Sequence, residues 1–340
     1  MRKIYLVGAI LLLALGVFLA GCGSQKQSAP SDTGKTSQSV ENNKQQEKKT
    51  YTIAFVPGIT TDAFYISMKK GAENAAKELG VNLIWQGPAQ WDYTKQVPIV
   101  ESFLSKKPDF MIIAPCSTDA LIEPLKKVKE AGIPIITVDT NIKDESLIIA
   151  NVTSDNKQGG QAAADALAKL IGGEGEVALI NTIPGVTTTD DRQNGFLEQI
   201  QSKYPKIKVV SKQYCNDQQN TAAAQIQNIV LANPNLKGVF ATNVVSSLGV
   251  VQGLKAKNLI GKIKVVEYDA GPSQVESLKT GEVQALIAQK PYAEGYQSVK
   301  MAVDYLNGKK DLEKHVLLPA VIATQENMND PEVNKWFYKE

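Results

Sequence analysis

From Tyr51 onward, short apolar, β-branched runs alternate with longer stretches whose apolar positions recur every three or four residues. Residues 51–56 read as a strand closed by Pro57-Gly58. Asp62 then caps a helix over 63–79, with Gly80 as its stop. A second strand over 81–85 and a second helix over 92–106 follow. Residues 110–114 are continuously apolar, as a strand buried on both faces should be. A helix over 118–131, a strand over 134–138 and a weaker strand over 147–152 complete a first round. The cadence then restarts. Helices at 158–171, 191–202, 221–232, 247–257 and 273–280 alternate with strands at 176–181, 207–212, 238–241, 263–266 and 285–288.

Strand, helix, strand at this spacing implies parallel pairing through right-handed crossovers. The expected fold is α/β: two doubly wound, Rossmann-like lobes with parallel sheets. The architecture repeats, but no near-identical repeat is visible. Crossings between lobes are expected near residues 153–155, near 289–290 and around 318, making a three-crossing hinge. One lobe then comprises 51–154 plus 290–318, and the other 155–289 plus 319–340. Open parallel sheets present ligands at the carboxyl ends of their strands, which points to the cleft between lobes.

The first fifty residues break this pattern. Met1-Arg2-Lys3 precedes an apolar run from Ile4 to Phe18, then Leu19-Ala20-Gly21-Cys22. A basic end, an apolar core and small residues describe a secretory signal over residues 1–21. The run is short, and wrongly flanked, for a membrane span. Leu-Ala-Gly-Cys matches the lipobox of bacterial lipoproteins, whose cysteine becomes the lipidated first residue, so Cys22 is the expected lipid attachment. Residues 23 to 50 offer almost nothing apolar to offset the entropy of ordering. Residues 22–50 are therefore expected to form a disordered tether of roughly 30 Å root-mean-square span. The expected location is the extracytoplasmic face of the cell membrane.

Composition narrows the function. Hydrophobic residues make up 43% and charged residues 21%, as in a soluble globular protein. The net charge of +2 is spread over interspersed signs, which argues against a nucleic-acid partner. The single histidine, His315, sits in a Lys-rich stretch and reads as a solvated loop residue; histidine-based metal sites and Ser-His-Asp chemistry have no support. Cys116 and Cys215 fall in different lobes and read as free thiols. The chain has no GxxxxGK[ST] loop and no GxSxG elbow, and its first strand ends in Val56-Pro57-Gly58-Ile59 rather than GxGxxG. No cofactor, no metal and no enzymatic activity are expected. Gly159-Gly160 reads as close helix packing and Gly172-Gly173 as a turn.

The residues at the strand ends carry the candidate chemistry. They are Asp62, Phe64 and Tyr65; the turn 87–92 with Trp91; Asp139 and Thr140; the stretch 187–192 with Asp190 and Arg192; then Asp217, Asn243, Asp269 and Gln289. Carboxylates and amides pair with hydroxyls, and flat aromatic faces cover C–H patches. A phosphate or free carboxylate ligand would call for more convergent arginine. The set suits a small polyhydroxylated molecule. Several members have a structural alternative. Phe64 packs the first helix, Trp91 packs a surface loop, and Asn243 caps the following helix. Gln289 satisfies hinge backbone, and Arg192 pairs with Asp190 or Asp191 at the rim.

In this order the motifs resemble the ribose-binding-protein-like, type I periplasmic sugar-binding proteins of ABC importers. The resemblance spans about residues 51 to 325. Asp62-Ala-Phe-Tyr-Ile-Ser-Met68 and Ala131-Gly-Ile-Pro-Ile-Ile-Thr-Val-Asp139 carry it in the first lobe. Ser154-Asp-Asn-Lys-Gln-Gly-Gly160, Arg192-Gln-Asn-Gly-Phe196, Gly238-Val-Phe-Ala-Thr-Asn243 and Ala288-Gln289 extend it. The resemblance implies that Asp62, Phe64, Tyr65, Asp139, Arg192, Asn243, Asp269 and Gln289 fall on ligand positions. The chain departs from ribose binders at Thr140 and Asp190, which stand where those carry arginines, and at Asn216-Asp217, where a second-lobe aromatic is expected. These departures weigh against ribose itself.

The function so implied is an extracytoplasmic solute-binding lipoprotein that captures a small sugar or sugar-like polyol by hinge closure. Its implied partners are ABC permease and ATPase subunits, with the membrane reached through lipidated Cys22 and the chain itself a monomer. A ligand-sensing subunit for a membrane receptor, reading a sugar or autoinducer-like signal, is the alternative. A surface glycoside hydrolase is a third reading, which the adjacent pair Asp190-Asp191 does not by itself support.

Overall fold

The computed structural model describes residues 50–338. The expected signal segment, Cys22 and all but the end of the expected tether lie outside the described residues.

The first round comprises β1 (Thr52–Val56), α1 (Ala63–Leu79), β2 (Asn82–Trp85), α2 (Tyr93–Lys106), β3 (Phe110–Ile113), α3 (Ile122–Glu130), β4 (Ile135–Val138) and β5 (Ala150–Ser154). The second comprises α4 (Asn156–Ile171), β6 (Gly175–Asn181), α5 (Thr187–Lys203), β7 (Ile207–Tyr214), α6 (Gln219–Ala232) and β8 (Leu236–Ala241). It continues through α7 (Val244–Ala256), β9 (Lys264–Tyr268), α8 (Pro272–Lys279) and β10 (Ala285–Ala288). The chain closes with α9 (Pro291–Leu306), β11 (His315–Leu318), β12 (Val321–Ala323) and α10 (Pro331–Asn334).

Two six-stranded sheets result, in the orders β11-β5-β4-β3-β1-β2 and β12-β10-β9-β8-β6-β7. All pairs are parallel except β10 with β12. Every residue of β3 and β4 is buried, because helices cover both faces. The chain passes from the first sheet to the second after β5, returns after β10, and passes again between β11 and β12. This is the expected doubly wound architecture.

The structure corrects several boundaries, each for a local reason. Helix α3 begins at Ile122 rather than 118. Pro124 has no N–H to give, so it sits in the first turn, where none is needed. Strand β5 begins at Ala150 rather than 147, because Asp144 caps a short 3-10 turn over Glu145–Leu147. Helix α5 begins at Thr187, four residues before the expected start; three successive threonines are weak helix formers that tertiary packing overrides. Helices α9 and α10 and strands β11 and β12 are additions to the expected set. His315 is exposed as expected, but it begins β11 rather than lying in a loop. Its Nε2 lies 3.3 Å from Glu145 Oε2.

Glycines set the closest helix crossings. A Cβ on Gly160 would lie 2.0 Å from the Arg192 carbonyl oxygen, and one on Gly195 2.1 Å from that of Lys157. Helices α4 and α5 therefore touch backbone to backbone. The expected close packing at Gly159-Gly160 is present: a Cβ on Gly159 would meet the Tyr268 hydroxyl at 2.2 Å. Cys116 and Cys215 are both free and buried.

Candidate functional site

At the carboxyl ends of the two sheets the loops face one another across a cavity of about 130 Å³. On the first wall, Asp62 caps α1, its carboxylate accepting the Phe64 N–H at 2.7 Å. That cap places Phe64 and Tyr65 in the first turn of α1, both buried, with rings edge-on at 5.1 Å. Trp91, from the loop between β2 and α2, lies over Gly58 with its ring 6.4 Å from that of Tyr65. Asp139 follows β4, and the Tyr65 hydroxyl donates to its Oδ2 at 2.5 Å.

The second wall repeats the logic. Thr182, Ile183 and Val186 follow β6; Thr188, Thr189 and Arg192 share the inward face of α5; Asp217 follows β7. Asn243 caps α7 in a reciprocal capping box with Ser246, and its amide donates to Asp217 Oδ1 at 3.2 Å. Asp269 follows β9 and Gln289 follows β10.

Asp139 and Asp269 occupy matching places in the two lobes. Each N–H donates to a neighbouring strand, Asp139 to Val152 and Asp269 to Ile287, both at 2.9 Å. Each residue then turns into the left-handed region, with φ of 59° and 82°. Aspartate tolerates that region better than most side chains, yet it carries strain, and such strain concentrates at functional sites. Asp217 shares the feature, with φ of 53°.

Among the described residues, Arg192 is the one cation of the lining. Its Nε donates to Asn156 Oδ1 at 2.8 Å and its Nη1 to the Thr242 carbonyl at 2.9 Å, while the guanidinium stacks 3.9 Å from the Tyr268 ring centre. It is buried, not paired with Asp190 or Asp191 at the rim. Four carboxylates thus face one guanidinium. Burial first, and then Asp269, Asp217 and Asp139, push the Asp62 carboxyl up to about 6. Burial also pushes Asp139 up to about 6, against the opposing pull of the Tyr65 hydroxyl and Arg192. Asp217 is raised by burial, with the Asn243 amide pulling the other way.

Ten of the twelve expected residues meet at this cavity: Asp62, Phe64, Tyr65, Trp91, Asp139, Arg192, Asp217, Asn243, Asp269 and Gln289. Thr140 and Asp190 do not. The Thr140 hydroxyl donates to the Pro115 carbonyl at 2.8 Å, bracing the loop after β3. Asp190 accepts the Gly185 N–H at 2.8 Å, because the early start of α5 turns it away from the face shared by Thr188 and Arg192. Asn243 proves to be both helix cap and cavity residue. Gln289 donates to Asp269 Oδ1 at 2.6 Å, and its buried Oε1 has no protein donor. Sequence reasoning missed Ile59, Thr182, Ile183, Val186, Val244 and Val245. Thr182 follows directly on a strand end and was open to the same rule as the others; the apolar members carry no chemical signal.

The chain matches the periplasmic binding protein domain over residues 53–310, most of the described part. It belongs to the periplasmic binding protein family. Among relatives, a ribose import binding protein of Bacillus subtilis is 30% identical over 280 residues, covering 82% of this chain and 89% of its own. A D-allose-binding periplasmic protein of Escherichia coli is 30% identical over 252 residues, covering 72% and 81%. A solved ABC transporter solute binding protein from Agrobacterium vitis, bound with alpha-D-tagatopyranose, is 40% identical with a TM-score of 0.83. It covers 86% of this chain and is itself covered in full. The two-lobed type I fold is thus common to the chain and its relatives. No helix among the described residues is long and apolar enough to cross a membrane.

Proposed function

We propose that this chain is the extracytoplasmic solute-binding subunit of a sugar ABC importer, and that it holds one monosaccharide or similar polyol in the cavity between its lobes. The observation that carries this is the convergence of Asp62, Asp139, Asp217, Asp269 and Gln289 with the faces of Phe64, Tyr65 and Trp91. Acceptors in that number suit a ligand made of hydroxyl donors, and the aromatic faces suit its C–H patches. The cavity is smaller than the roughly 300–1,000 Å³ of drug-sized sites, which fits a single small ring. The sugar-binding relatives support the same class of ligand.

The lobes divide as residues 51–154 with 290–318, and 155–289 with 319–340. Ligand contacts from both walls favour a closed arrangement about the crossings between them. The carboxylates serve as hydrogen-bond acceptors and carry out no reaction. Cys22 bears the lipid that keeps the protein at the extracytoplasmic face of the cell membrane; a Cys22→Ala variant should leave the membrane fraction for the soluble one.

Isothermal titration calorimetry against D-ribose, D-allose, D-arabinose, D-tagatose and matched polyols tests the reading. At least one should bind near micromolar, about −8 kcal/mol. Silence across the panel defeats it.

A further inference from the structure

The segment after β12 returns to pack behind residues that line the cleft. Asp330 caps α10, and the chain continues through Trp336, which lies under Lys290 at 4.8 Å, to the buried Tyr338. The Tyr338 N–H donates to the Ala270 carbonyl at 3.0 Å, fixing the residue beside the loop after β9. Its hydroxyl donates to Asp269 Oδ1 at 2.9 Å. Its ring meets that of Phe64, on the opposite wall, edge-on at 5.8 Å and 73°. Tyr338 itself is not part of the cavity lining.

Three donors therefore hold the Asp269 carboxylate. Gln289 shares Oδ1 with Tyr338, and the Val244 N–H takes Oδ2 at 3.1 Å. Of the three, Tyr338 is the one with a ring contact to the first wall. Burial, reinforced by the charge of Asp269, raises the phenol pKa well above its ordinary value and keeps it a donor at any physiological pH. Asp269 has also left the comfortable backbone regions, so its side-chain direction depends on such external fixings.

We propose that Tyr338 is a positioning residue of the cleft: its hydroxyl aims the Asp269 carboxylate at the ligand, and its ring ties that aim to Phe64 of the opposite lobe. This rests on the cavity being the sugar site. A residue outside the lining thus sets how well the second lobe's carboxylate meets a ligand already held by the first.

Tyr338→Phe keeps the ring and removes only the hydroxyl. Calorimetry with whichever sugar the unaltered protein binds should show a Kd about tenfold higher, the loss expected for one hydrogen bond to a charged group. In ligand-free protein, the carboxylate ¹³C resonance of Asp269, assigned by its loss in Asp269→Asn, should move; mere packing of the segment would leave it in place. Phe64→Leu, read by that resonance alone because Phe64 also lines the cavity, should move it too. An unchanged Kd in Tyr338→Phe, or an Asp269 resonance that stays put in both variants, overturns the proposal. If no sugar binds the unaltered protein, the functional reading fails, and the resonance alone still decides whether Tyr338 governs Asp269.

Discussion

Four acids around one arginine make the cleft an acceptor-rich site whose charge state depends on pH. Asp62 and Asp139, both pushed up to about 6, hold protons in the folded protein that unfolded aspartate releases near 4. Their stabilising effect is therefore full below about pH 4 and is lost as pH rises through 6. A sugar that donates to ionised carboxylates binds in the opposite sense. Its affinity should climb from pH 5 to pH 7.5 and then level off; calorimetry showing equal or tighter binding at pH 5 would contradict this assignment. Asp139→Asn should weaken sugar binding roughly 10- to 100-fold by removing a charged acceptor. Asparagine also tolerates the left-handed backbone of this position, so the fold should persist, as circular dichroism would check. Away from the cleft, burial pushes Glu267 up to about 8, against the opposing pull of the Gln274 amide. The protein should lose stability as pH rises from about 4.5 to about 8, where the loss is complete. Glu267→Gln should flatten part of that decline in melting temperature between pH 6 and 8, with Glu294, also pushed up to about 8 by burial, retaining the rest. The strand-end rule found the cleft acids because an aspartate following a buried strand has few structural reasons to be there. Thr140 and Asp190 obeyed the same rule and still point elsewhere, since neighbouring positions differ in direction.

Among the helices, the crossings rather than the faces fix position. Gly71 and Gly295 let α1 and α9 approach as α4 and α5 do: a Cβ on Gly71 would lie 2.0 Å from the Tyr292 carbonyl, and one on Gly295 2.1 Å from that of Met68. Each lobe thus has a backbone-tight helix pair, α1 with α9 and α4 with α5, and α6 and α7 also meet closely at Gly249, where a Cβ would lie 2.5 Å from the Gln219 carbonyl oxygen. In the second lobe the α4–α5 pair carries Arg192 and Asn156, whose mutual hydrogen bond depends on the close approach. Gly160→Ala should therefore cost about 2 kcal/mol in urea unfolding, despite the better helix propensity of alanine, because a carbonyl oxygen must move aside. A neutral or stabilising result would show that the crossing is loose. Helices with a plain cap and stop, such as α1 between Asp62 and Gly80, were readable to the residue. Helix α9, which opens on Pro291 and carries Gly295 inside, was not; its glycine weakens the local pattern and is explained only by the α1 backbone lying against it.

The described residues form two sheets whose loop-bearing ends confront each other, so ligand capture should register as compaction. Small-angle scattering should show a smaller radius of gyration once a binding sugar is added, and no change with a sugar that calorimetry finds inert. A bound sugar that leaves the profile unmoved would rule out closure as the mode of capture. Alternating buried strands and capped helices were enough to specify a doubly wound α/β fold, because burial on both faces and crossover handedness leave few other topologies. The strand-end acids and aromatics were legible for the same reason: such folds expose only those ends to a ligand. What the chain could not express locally was the pairing of distant parts. That β11 joins the first sheet and β12 the second, that Arg192 is buried rather than at a rim, and that Tyr338 returns to hold Asp269 are settled by contacts between residues far apart in sequence. Periodicity reports which face of an element is apolar; only the packed structure decides what that face, or the residue beside it, will meet.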